Sequence, residues 1–149
     1  MRKVFYSIFI VFAVFLISCT TDKYIISDSA DIHKYEFATI QNIMGYTGYP
    51  SLMDMDVKLY DALNESGIKM IGEKEIDLLS YSQKEKLLYV KYSATQNLEE
   101  SAVSITFIDY STLRPVANCH GSYSMGWSLE SDMNHAVNNA LEQLKLMWK

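Results

Sequence analysis

The chain has 149 residues, a formal net charge of −5 and 49% apolar residues, with 6 Gly and 2 Pro. At roughly 100–200 residues per domain this is one globular domain, neither disordered nor collagenous, and two cysteines are too few for a disulfide scaffold. Acidic side chains outnumber basic ones by 18 to 13, which leaves no electrostatic footprint for nucleic acid.

Met1-Arg2-Lys3 is a positive head, and Val4–Ile17 is an almost unbroken apolar run ending in Ser18-Cys19, after which the chain turns polar. A charged start, a short apolar stretch and a small residue before a cut describe a secretory signal peptide. The run is shorter than the about 20 residues needed to span a bilayer. Leu16-Ile17-Ser18-Cys19 resembles the lipobox of bacterial lipoproteins. The resemblance implies removal of residues 1–18, acylation of Cys19 and residues 19–22 as a lipidated tether to a single domain over 23–149. One acyl chain holds a membrane marginally, at about 0.8 kcal/mol per buried CH₂, whereas the three chains of the bacterial modification anchor stably. Thr20 is not the Asp that resembles an inner-membrane retention signal, so the expected location is the outer membrane, facing the periplasm, with surface display as the alternative. Loss of Arg2 and Lys3 makes the mature chain more acidic still. Anionic head groups are therefore poor partners for its surface, and the domain is expected to stand off the bilayer, close to it on a short tether.

Lys23–Ser27 reads as a short edge strand, and the alternation of Tyr35–Ile43 as a second strand. Gly45–Pro50 is a turn-rich aromatic loop. Ser51 is placed to N-cap a helix with Leu52, Met55, Leu59, Ala62 and Leu63 on one stripe, stopping near Asn64 and Gly67. Ile68–Ile71 reads as a short strand and Glu73–Leu79 as one or two helical turns. Lys86–Thr95 and Ala102–Tyr110 form a β-hairpin with a polar turn around Asn97–Glu100, and Val116–Tyr123 is a further strand. Gly121–Trp127 is a second aromatic loop. Met133, Ala136, Val137, Ala140, Leu141, Leu144 and Trp148 recur at helical steps in a terminal amphipathic helix. The pattern predicts an α+β two-layer sandwich: a mostly antiparallel sheet of about five strands with two amphipathic helices on one face.

Three segments resemble a family of small bacterial envelope lipoproteins of unknown function. These are Asp28-Ser29-Ala30-Asp31-Ile32-His33-Lys34-Tyr35, Leu87-Leu88-Tyr89-Val90-Lys91-Tyr92, and Ile105-Thr106-Phe107-Ile108-Asp109 followed by Thr112. Val116-Ala117 stands where that family usually carries Trp. The order of elements is also similar to the domain shared by curli-secretion lipoproteins, the N-terminal domain of the Tol-system periplasmic protein and lipoprotein activators of penicillin-binding proteins. That wider resemblance implies binding of an envelope protein partner without catalysis, and it supplies no catalytic residues.

The residues themselves offer little chemistry. Cys119-His120 looks like a nucleophile beside a base, but neighbours on a strand point to opposite faces. His33, His120 and His135 are scattered, without ligand spacing for a metal. Asp54, Asp56, Asp61 and Glu65 lack the alternation and bend glycine of a calcium loop and read as a solvated helix face. No cofactor signature is present. The two aromatic loops stand out: Tyr46 and Tyr49 in one, Tyr123 and Trp127 in the other, form one candidate binding patch if both loops lie at the same end of the sheet. The expected protein is a non-enzymatic, membrane-anchored partner-binding module. The alternative is a ligand-binding lipoprotein for a peptide, glycan or small molecule, marked by a pocket of a few hundred Å³ near these loops.

Overall fold

Alternation along the central hairpin divides its side chains between two faces, and the fold follows from what covers each. The computed structural model describes residues 23–41, 52, 54–124 and 128–149. Six strands, β1 (Lys23–Ile26), β2 (Phe37–Ile40), β3 (Lys69–Met70), β4 (Leu87–Gln96), β5 (Ser101–Asp109) and β6 (Pro115–Tyr123), form one sheet in the order β1-β6-β5-β4-β2-β3. The helices are α1 (Met55–Glu65), a single turn α2 (Tyr81–Lys84) and α3 (Leu129–Met147), with 3-10 turns at Ile32–Lys34 and Glu73–Leu78. The α+β layered architecture is as the sequence predicts.

The sheet is mixed. β1, β6, β5 and β4 are antiparallel in succession, whereas β2 lies parallel to β4 on one side and to β3 on the other. Parallel neighbours need crossovers, and here there are two on opposite faces. α1 carries the chain from β2 to β3 across one face. The Glu73–Leu78 turn and α2 carry it from β3 to β4 across the other, where Ile71, Ile76 and Leu87 form a small core with Phe37, Leu79, Tyr89 and Tyr110. The two amphipathic helices, α1 and α3, share one face as expected, and the second crossover covers the other.

The main core lies between the sheet and the two long helices. Leu88 and Val90 of β4, Val103, Ile105 and Phe107 of β5, and Ala117 and Cys119 of β6 meet Leu59 and Leu63 of α1 and Met133, Val137 and Leu144 of α3. α3 presses closely on β6 because Gly121 has no side chain. A Cβ there would meet the backbone nitrogen of Ala140 and stand 2.5 Å from the Ala136 carbonyl oxygen. Gly121 belongs to β6, so the loop expected from Gly121 starts later, after Tyr123.

Local signals set the helix ends. Ser128 Oγ accepts from the Ser131 N–H at the start of α3, as N-caps do. α1 starts at Met55 behind Asp54, later than the Ser51 cap predicts; Ser51 lies outside the described residues. It stops where Gly67 takes φ +82°, with Gly67 N–H donating to Asn64 and Ile68 N–H to Leu63. This is a Schellman close. β2 is shorter than predicted because the Ile32–Lys34 turn ends on Tyr35, which leaves the strand and points its ring into the core.

Candidate functional site

Strand directions decide which loops share an end. β2 and β6 both run parallel to β4, so Ile40 and Tyr123 head toward the end at which β4 finishes with Gln96. β1 runs antiparallel to β6, so its first residue, Lys23, faces the same way. The strand leading to Gly45–Pro50, the strand leading to the second aromatic loop, the β4–β5 turn and the start of the domain are all directed to one end. Of the predicted site residues, Tyr123 is half-buried and stacks on His135 of α3, ring centroids 4.3 Å apart. Cys19, Tyr46, Tyr49 and Trp127 lie outside the described residues.

Beyond the end of β2 an open groove of about 550 Å³ runs between α1 and β3. Ile40, Val57, Tyr60 and Met70 supply its apolar wall, and Asp56, Glu73 and Glu75 its carboxylates. Two of those carboxylates have structural work: Asp56 accepts from the Tyr92 hydroxyl at 3.0 Å, and Glu75 accepts from the Gly72 N–H at 2.7 Å. Sequence reasoning missed this groove because its walls come from β2, α1 and β3, which no local periodicity joins.

The strongest polar cluster joins two of the segments that carry the family resemblance. Asp109, at the end of β5, is buried and accepts through Oδ2 from the Tyr35 hydroxyl at 2.8 Å and from Lys34 Nζ at 3.0 Å. Through Oδ1 it accepts from Ser111 Oγ at 2.6 Å, the Thr112 N–H at 2.9 Å and Thr112 Oγ1 at 3.1 Å. Burial alone would raise its carboxyl. The hydrogen bonds from Ser111, Lys34, Tyr35 and Thr112 outweigh that and hold it well below the usual carboxylate range. Burial, and then the Asp109 carboxylate, push the Tyr35 phenol far up. A carboxylate so fully occupied has little capacity left as a base or a metal ligand. It is a latch between the first turn of the domain and the β5–β6 turn.

That turn carries one strained residue. Leu113 has φ +56° and exposes 69% of its surface, a conformation that costs a branched apolar residue about 1–2 kcal/mol. Its N–H donates to the Asp109 carbonyl at 2.8 Å, so the latched turn holds it there.

Cys119 faces the core, with Sγ 3.9 Å from Met147 Sδ, and burial pushes its thiol up to about 12. His120 faces the other side of the sheet, opposite Ser104. A protonated, buried thiol is no nucleophile. Among the described residues no group of three or more His, Cys, Asp or Glu side chains is placed to hold a metal ion, and no helix is long and apolar enough to cross a membrane.

No protein-family model and no curated protein matches the chain. Solved structures similar to it include the PelC dodecamer from Paraburkholderia phytofirmans, 15% identical, covering 85% of this chain and 97% of that chain with a TM-score of 0.49. A single-substitution variant of the same dodecamer is 16% identical, covers 84% of this chain and 99% of that chain, and also has a TM-score of 0.49. A likeness this distant assigns neither assembly nor role.

Proposed function

We propose that the chain is a bacterial envelope lipoprotein, anchored through Cys19 in the outer membrane and facing the periplasm, whose domain binds a protein partner and performs no catalysis. The observation that carries this reading is the lipobox-like Leu16-Ile17-Ser18-Cys19, set a few residues ahead of the first strand at Lys23. Two features of the domain support it. Its most perturbed acid, Asp109, is consumed in holding two turns together, and its buried thiol is inert. The strands leading to both aromatic loops head to one end, as a shared contact patch built from Tyr46, Tyr49, Tyr123 and Trp127 requires.

The test is cross-linked co-purification from native membranes, comparing wild type with the Tyr46→Ala, Tyr49→Ala, Trp127→Ala triple variant. One stoichiometric partner that disappears in the variant supports the adaptor. No partner in either sample refutes it. The groove between α1 and β3 favours a second reading, a carrier of a peptide, glycan or small molecule, since its size and apolar wall suit such a ligand. Equilibrium binding of such a ligand, abolished by Tyr60→Ala, would select that reading.

A further inference from the structure

We infer that the β4–β5 turn and the first turn of α3 rest against the lipid surface, with Leu98 and Leu129 entering the boundary between head groups and acyl chains. The inference rests on the reading of Cys19 as the anchored residue and asks how the domain then sits.

Strand register sets the geometry. Lys23 lies opposite His120, while the end of the sheet is marked by Tyr123 opposite Ser101 and Ser101 opposite Gln96. The β4–β5 turn therefore stands about 10 Å beyond Lys23 along the strand direction, at the rise of an antiparallel strand. The turn itself adds to that projection. From Cys19 to Lys23 the chain, even fully extended, reaches about 13–14 Å. With the strands upright on the membrane, the reach from an acylated Cys19 is little longer than this projection, so the turn is brought to the lipid surface. Any slack or bend in those residues draws the same end closer.

The side chains at that end suit the contact. Asn97 Oδ1 accepts from the Glu99 and Glu100 N–H groups at 2.8 Å each, and Asn97 N–H donates to the Glu100 carbonyl at 3.0 Å. The turn thus satisfies much of its own backbone and leaves Leu98 95% exposed. Gln96 Nε2 donates both to Ser101 Oγ at 3.0 Å and to the Leu129 carbonyl, tying the turn to the start of α3. Leu129 is 48% exposed beside it. Two leucines are held out on a hydrogen-bonded turn and the helix start tied to it, at the end the tether draws inward. Their neighbours include Glu99, Glu100 and Glu130, so the contact relies on apolar side chains and the covalent anchor and not on attraction to anionic lipid. Leu113, also exposed, belongs to the β5–β6 turn at the opposite end.

The experiment uses the full-length acylated protein in vesicles of phosphatidylcholine. Leu98→Cys, Leu129→Cys and Leu113→Cys variants are each labelled with an environment-sensitive nitrobenzoxadiazole dye; buried Cys119 stays unlabelled. The expected result is blue-shifted emission at positions 98 and 129, quenched by lipids brominated in their acyl chains, with position 113 unchanged from its aqueous spectrum. Identical aqueous spectra at 98 and 113 overturn the inference. A blue shift at 98 that bromolipids do not quench also overturns it, since it marks contact with protein or a second copy. Mass spectrometry of the N-terminal peptide of the wild type separates the two levels. If Cys19 carries no acyl chains, the anchor reading fails and takes the inference with it. If Cys19 is acylated and position 98 stays aqueous, the inference alone fails.

Discussion

Replacing Asp109 with Asn removes the charge that five donors converge on while keeping the side chain's size. One carboxylate oxygen becomes an amide that donates. If it takes the place of Oδ2, the Tyr35 hydroxyl can turn to accept, but Lys34 Nζ is left facing a donor. If it takes the place of Oδ1, Ser111 and Thr112 lose their acceptor instead. Hydrogen bonds to a charged group contribute about 1.5–3 kcal/mol, and breaking a buried pair from one side costs about 3–5 kcal/mol. The half-exposed Lys34 contributes at the low end of such pairs. We expect Asp109→Asn to lose about 3 kcal/mol in urea unfolding at pH 7, which for a domain of this size lowers Tm by roughly 10 °C. The pH dependence gives a second check. Asp109 has a folded pKa below its unfolded value, so its contribution is complete above the ordinary carboxyl range near about 3.9 and drains as pH falls through the folded value. The gap between wild type and variant should therefore narrow between about pH 4 and pH 2. A loss below about 1 kcal/mol at neutral pH, or a gap constant down to the acid limit, would refute the latch.

Gly121→Ala pushes a methyl into the backbone of α3 at Ala136 and Ala140; we expect a loss of about 2–3 kcal/mol or more in thermal unfolding, and a change under 1 kcal/mol would mean that α3 can shift without cost. Leu113→Gly should raise stability by about 0.5–1 kcal/mol, because relief of the positive φ exceeds the glycine's added unfolded freedom; destabilisation would show that Leu113 packs against something. In a Cys19→Ser background, Cys119 should react with a thiol reagent at least about a hundredfold more slowly in the folded than in the urea-unfolded protein, and equal rates would contradict its burial. Tyr35→Phe should cost about 2 kcal/mol and, in a double-mutant cycle with Asp109→Asn, show coupling of at least about 1 kcal/mol.

Elements with a strong local period were legible in the sequence. α3, the β4–β5 hairpin and the stripe of α1 each announce themselves through side chains a few residues apart, and β1 proved to be the edge strand its length suggested. What local pattern cannot carry is the choice of partner. Nothing in Phe37–Ile40 says that it lies between β3 and β4, parallel to both. The Glu73–Leu78 turn and α2 are too short for a helical period, so the cover on the second face was not foreseen. The candidate site divides in the same way. The residues Lys34, Tyr35, Asp109 and Thr112 were singled out as motifs, but their meeting across 75 residues is a property of the fold. Gly121 in the sequence looks like a turn signal, whereas its role is contact between backbones, a distinction invisible in a single letter.

The strand order also sets when the domain can assemble. β4, β5, β6 and α3 are contiguous in the chain and pair by short turns, so they form the local, fast-closing part of the structure. β1 must find β6, and β2 must find β3 and β4, all of them later in the chain. A chain delivered N-terminus first therefore emerges with both early strands unpaired, and the sheet cannot close until β6, which ends at Tyr123, has followed. The Lys34–Asp109 contact then marks completion, since neither of its ends is in position before β2 has inserted and the β5–β6 turn has formed. Hydrogen exchange on the refolding protein should protect residues 101–123 before residues 23–40.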